Sequence, residues 1–286
     1  MAGRSAATVL TTVRGITFDF GNTLVAVDRA GLERVVDLTA RRVGTRSGPF
    51  EHSAFLAVWA EERERQFAEA IPAFREPDLT LRFVRVLARL RGARPPAVGQ
   101  AWDNATAAAL SDPQEIAWGL DVYNASFIEA LPPDREVEPM LGRLAGRFRL
   151  GLLSNWPLAA TIDRYVAAAG WAPHFTAVTV SQRVGWIKPH PAIFAAAAAA
   201  LGLPAGPALL HVGDDWAADV VGARRAGWRA AWLAARPADS PLPGSERDGS
   251  VAADLVLGRL AELEERLPSR VGRRREGAAH RPGRDT

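Results

Sequence analysis

The sequence contains no cysteine. That excludes a disulfide framework and thiolate metal sites. Lysine is almost missing too: of 35 basic residues only Lys188 is a lysine, and the other 34 are arginine. No apolar run approaches the roughly 18 residues of a membrane span. The first residues lack a basic start followed by a long apolar core, so no secretory signal is expected and a cytoplasmic location is the default. Internal repeats are absent. So are a Gly-x-Gly-x-x-Gly fingerprint and a Walker loop, the common nucleotide-cradling signatures.

What is present is an ordinary globular composition. The 286 residues suffice for one large domain, or for a core with a smaller insert. Hydrophobic residues make up 48% and charged residues 23%, enough of the former for a real core. The positive balance is local. Residues 268–286 hold six arginines against Glu276 and Asp285, a charge of +4; the whole chain carries +3, so the rest sums to −1. The composition predicts a solvated, disordered tail. Without interleaved aromatics it gives no support for nucleic-acid binding. The lone lysine carries more information. Where any cation serves, this chain uses arginine, so Lys188 is expected where a compact, point-like ammonium is needed and a planar fork does not fit.

Two patterns divide the chain. "ITFDFGNTLV" reads as a strand over residues 13–20 ending in a tight turn at Gly21 and Asn22. Residues 28 to about 131 then read as helices only, with stripes at Leu32, Val35, Val36 and Leu38, at Phe55, Val58, Trp59 and Phe67, and at Leu81, Val84, Leu87 and Leu90. Trp102 to Leu110 and Ile116 to Phe127 suggest two more. The charge run Glu61 to Arg65 reads as a solvated helix face. From Pro132, short apolar strands alternate with helices, which means a parallel sheet covered on both faces. The expected organisation is an α/β, Rossmann-like core from residues 1–27 and 130–267, an all-helical insert over 28–129, and the tail over 268–286.

Open parallel sheets bind ligands beyond the carboxyl ends of their strands. Here those ends are polar. The first strand ends at Asp19 and Thr23, the second at Ser154 and Asn155, and the segment after the third carries Lys188. The fourth ends at Asp214 and Asp215, with Asp219 a turn later. Asp215 reads equally as a helix cap, and His190 and His211, which flank these segments, read as structural.

The set "DFGNT", "LLSN", "KPHPAIF" and "HVGDDWAADVVGARRAGW" resembles the four motifs of the haloacid dehalogenase superfamily of hydrolases, in order and with family-like spacing. The helical block is similar to that family's cap, inserted after the first motif. The resemblance implies Asp19 as a nucleophile forming a covalent aspartyl intermediate. It implies Mg²⁺ on Asp19, Asp214 and the Gly21 carbonyl, with Asp219 an outer partner that holds Lys188 or a metal-bound water. Ser154 and Lys188 would serve the phosphoryl group, with Thr23 and Asn155 beside them. The implied substrate is a small phosphorylated molecule, with no membrane or nucleic-acid partner.

Gly21 departs from the pattern. Phosphatases of the family usually read Asp-x-Asp-Gly-Thr, and the second Asp protonates the leaving oxygen. Here Thr23 is in register, so that Asp is replaced rather than shifted. The insert has no lysine for a Schiff base, which argues against phosphonoacetaldehyde hydrolysis, and membrane helices for a P-type ATPase are lacking. A 2-haloacid dehalogenase, or a phosphate-binding module with little turnover, is the alternative to a phosphatase. Lacking its usual acid, a phosphatase should favour good leaving groups unless a cap residue or a water supplies the proton.

Overall fold

The computed structural model describes residues 10–47, 50–97 and 99–268. The arginine-rich tail, from residue 269 onward, lies outside them. Six parallel strands form one sheet: β1 (Gly15–Phe18), β2 (Arg149–Ser154), β3 (Phe175–Val180), β4 (Leu209–Gly213), β5 (Arg229–Leu233) and β6 (Leu255–Leu257), in the order β3-β2-β1-β4-β5-β6. All four residues of β1 are buried, as a central parallel strand covered on both faces requires. The chain lays β2 and β3 on one side of β1 and then returns to place β4 on the other. That reversal opens a crevice at the carboxyl ends of β1, β2 and β4, the switch point where such sheets bind ligands.

Between β1 and β2 the described chain is helical and adds no strand to the sheet. The insert comprises α1 (Arg29–Gly44), α2 (His52–Ala70), α3 (Leu79–Leu90), α4 (Asn104–Ala108) and α5 (Pro113–Ala130). Four of the five start on an aspartate that accepts backbone N–H bonds: Asp28, Asp78, Asp103 and Asp112. The helix expected from Trp102 to Leu110 is shorter, because Asp103 caps its start and Trp102 is left outside it. Phe127 of α5 joins insert to core, with its ring 5.3 Å from that of Trp156, 5.9 Å from that of Tyr165 and 6.2 Å from that of Phe20.

The charge run on α2 is a solvated face except at one residue, for Glu61 and Glu64 are exposed. Glu62 is fully buried, 3.0 Å from Arg89 of α3, and accepts a 3.1 Å bond from the Trp102 indole. The charge of Glu62 hides this, although helical spacing puts it on the same side as the buried Trp59 and Gln66. Arg89 keeps a second partner in Glu61, so removing Glu62 mainly leaves the Trp102 indole N–H unsatisfied and one Arg89 bond unmade. Glu62→Ala is therefore expected to destabilise the protein by about 1–3 kcal/mol in urea unfolding.

Candidate active site

β1 delivers Asp19 to the crevice, and the Asp19 N–H is tied to the Val212 carbonyl of β4 at 2.8 Å. The chain then turns sharply. Val25 N–H bonds the Phe20 carbonyl and Asn22 N–H bonds the Val25 carbonyl, which leaves the Gly21 carbonyl out of the turn. Asn22 takes the left-handed conformation (φ 57°) that asparagine tolerates better than most residues. Its side-chain oxygen accepts from Val27 N–H.

Lys188 sits at the centre of the site and is 3% exposed. Its ammonium donates to Asp19 at 2.7 Å, to Asp219 at 2.6 Å and to the Leu153 carbonyl at 3.0 Å. Three acceptors thus use all three N–H bonds. Burial alone would lower the lysine pKa, but the two carboxylates overcome it and hold the group protonated.

Asp219 is fixed on every side. Its Oδ1 accepts from Lys188 and from His211 Nε2 at 3.0 Å, and its Oδ2 from Asp215 N–H at 2.9 Å. Burial pushes its carboxyl up, yet Lys188 and His211 hold it below the usual carboxylate range. Burial lowers the His211 pKa against the pull of Asp219, which favours the neutral ring. An ionised Asp219 needs a donor, so Nε2 carries the proton and Nδ1 accepts from the Thr17 hydroxyl at 2.8 Å. Asp219 therefore positions Lys188, and His211 positions Asp219. The histidine's role is legible only across the β1–β4 pair, where Thr17 lies beside it.

Asp19, Asp214 and Asp219 each offer a carboxylate oxygen within 4.8 Å of the others. Burial and the charges of its two neighbours raise Asp214 to about 8. Asp19 rises to about 6, through burial opposed by Lys188. These all-oxygen donors, crowded and mutually repelling, fit a hard divalent cation such as Mg²⁺. Asp19 and Asp214 keep oxygens free for it, and Asp219 does not. Added Mg²⁺ should raise the melting temperature. At a hundredfold excess over Kd the gain is about 2.7 kcal/mol, or roughly 4–5 °C for a chain of this size. Calorimetry of Asp214→Asn should show little of that shift.

Two hydroxyls at the rim, Thr23 Oγ1 and Ser154 Oγ, are buried and have no partner among the described residues. Buried polar atoms are normally satisfied, so these two are available to a ligand's oxygens. Asn155 is not. Its amide accepts from Lys188 N–H at 2.7 Å and donates to the Lys188 carbonyl at 3.1 Å, so it grips the backbone of Lys188 instead of a phosphate. Asp215 caps the following helical turn through Ala218 N–H at 2.8 Å. His190 caps the helix Pro191–Ala200, as a structural residue would.

No sequence motif announced the loop after β5. Arg236 lies 3.4 Å from Asp214, and Asn22 donates to Ser240 at 3.0 Å. Leu242 closes the space beside Gly21: a Cβ there would stand 2.5 Å from Leu242 Cδ1.

Comparison with known proteins places this arrangement. A family model for haloacid dehalogenase-like hydrolases matches residues 13–227. The phosphoserine phosphatase of Thermus thermophilus is 39% identical over 129 residues, 45% of this chain and 48% of that protein. The pyrimidine 5'-nucleotidase YjjG of Escherichia coli is 27% identical over 148 residues, 50% of this chain and 62% of that protein. The chain thus spans between about half and three-fifths of the length of these two curated relatives. Among solved structures, a 2-haloacid dehalogenase from Pseudomonas syringae superposes with a TM-score of 0.60 at 23% identity, covering 89% of this chain and 98% of that one. The magnesium-bound HAD-hydrolase YfnB of Bacillus subtilis gives 0.53 at 18% identity, over 89% and 98%. At such identities the likeness shows the fold alone.

Proposed function

The chain belongs to the haloacid dehalogenase-like hydrolases, and from that premise we propose that it is a Mg²⁺-dependent phosphatase working through an aspartyl-phosphate on Asp19. The observation that carries the reading is the acidic rim. Asp19, Asp214 and Asp219 gather within 4.8 Å, and the first two keep oxygens suited to a cation, whereas the dehalogenases that the sequence resembles need none. A bound cation would offset the repulsion between Asp19 and an anionic phosphate.

The other roles follow from what each group has free. Asp19 attacks phosphorus through one carboxylate oxygen, and the other would help hold the cation. Thr23 and Ser154 offer unpartnered hydroxyls to the phosphoryl oxygens. Lys188 neutralises charge developing there, held by Asp219 and Asn155. The substrate is a small phosphorylated molecule, in keeping with the phosphatase relatives. Among the described residues no helix is long and apolar enough to cross a membrane, and a cytoplasmic setting belongs to the same proposal.

A panel of phosphoesters, acyl phosphates and 2-haloacids, each with and without Mg²⁺, tests it. Phosphate release that stops with a chelator and returns with Mg²⁺ is the expected result. Metal-independent halide release without phosphatase activity would select the dehalogenase instead.

A further inference from the structure

Position 21 offers the leaving group no proton, and Leu242 and Trp156, 2.5 Å and 3.5 Å from where a Cβ would stand, leave little room there for a substitute. The insert holds a different carboxyl beside the loops that bear Ser154 and Lys188. Its α2–α3 connector is pinned to both loops that serve the nucleophile. Ile187 N–H, next to Lys188, bonds the Phe74 carbonyl at 3.1 Å, and Leu79 N–H bonds the Pro157 carbonyl, three residues past Ser154, at 2.9 Å. Arg75 adds a 2.6 Å bond to the Gly185 carbonyl. Glu76 lies between these anchors.

Half-buried Glu76 accepts from the Ser181 hydroxyl through Oε2, and Ser181 Oγ in turn accepts from Trp156 N–H at 2.9 Å. Its Oε1 makes no hydrogen bond among the described residues. The connector's other carboxylate, Asp78, is committed to capping α3 and to Gln182. Glu76 is thus a carboxyl with a free oxygen, held by the insert over the loops that carry Ser154 and Lys188.

We infer that Glu76 takes the acid–base role that Gly21 leaves empty, an inference that rests on the phosphatase reading above. In the first step Asp19 forms its bond to phosphorus and the bond to the leaving oxygen breaks. The electron pair stays on that oxygen, which takes the Glu76 proton and departs as the alcohol. In the second step Glu76, now ionised, takes a proton from the water that attacks phosphorus. The bond to Asp19 breaks, inorganic phosphate leaves, and Glu76 is protonated again. One water is consumed and both carboxyls are restored. The surroundings of Glu76 suit such proton transfer. Burial raises its carboxyl to about 7, against the pull of Ser181, Arg82 and Lys188 and with a small push from Asp78. Such a group donates and accepts near neutral pH.

The test compares Glu76→Gln with wild type on glycerol 3-phosphate, whose alkoxide needs a proton, and on 4-nitrophenyl phosphate, whose phenolate does not. Glu76→Gln keeps the acceptor for Ser181. The variant should lose about 10²–10⁴-fold in kcat/KM on the alkyl ester. Its nitrophenolate burst should stay within a few-fold, followed by slow turnover as the aspartyl intermediate accumulates. In wild type, kcat/KM for the alkyl ester should fall as pH rises through about 7, since the protonated acid is the active form; the variant should lack that limb. Ser181→Ala keeps the carboxyl but removes a bond that favours its ionised form, so its limb should move to higher pH, and it decides the matter if Glu76→Gln does not fold. Equal losses on both esters, an undiminished alkyl rate, or a limb that ignores both substitutions would overturn the role of Glu76 while leaving the phosphatase. Wild type inert on both esters and across the wider panel would overturn the phosphatase reading and the inference with it.

Discussion

Replacing Lys188 with arginine is expected to lower turnover by about 10²–10³-fold although the charge is kept, the scale of losing one preorganised donor at a developing negative charge. The reason is shape. Asp19, Asp219 and the Leu153 carbonyl converge on a single nitrogen at 2.6–3.0 Å. An ammonium meets three such acceptors from one atom. A guanidinium spreads its donors over a plane and adds bulk at a position 3% exposed. It would push against Asp19 or Asp219, and overpacking of that kind costs about 1–3 kcal/mol of stability. Steady-state kinetics and thermal melting together check this. Near-normal turnover in the arginine variant would mean that any cation serves and that the lone lysine is an accident.

Asp19→Asn should have the larger effect, a fall of about 10⁴-fold or more, as when a covalent nucleophile is removed from a unit that acts together. The amide can still accept from Lys188, and it relieves the repulsion with Asp214, so the fold should survive. Acid quenching of wild type during turnover should trap protein-bound phosphate, and the variant should trap none. The pH dependence has a definite sign. Asp19 attacks as the carboxylate, and its pKa stands at about 6 without a cation, raised by burial against Lys188. The first step should therefore slow as pH falls through that region, with the limb moving lower once Mg²⁺ binds. Turnover retained by Asp19→Asn would remove the covalent route altogether.

The sheet, the helical insert and the polar strand ends could be read from the chain because each rests on local periodicity. A buried parallel strand is continuously apolar, an amphipathic helix repeats its stripe, and a carboxylate ending an apolar run stands out. The lone lysine was legible for a similar reason, as a departure from the chain's own habit. What local pattern does not encode is which group faces which across the sheet. Thr17 and His211 become neighbours only through the β1–β4 register, and that pairing fixes Asp219. Asn155 looked like a phosphate ligand because it follows Ser154, yet the fold turns its amide onto the backbone of Lys188. Glu62 looked solvated until α3 brought Arg89 against it. Glu76 carries no motif at all. Its surroundings come from Trp156, Ser181 and Lys188, each roughly 80–110 residues away in sequence. Burial and charge act through space, so the residues that set its proton affinity were visible only once the chain had folded.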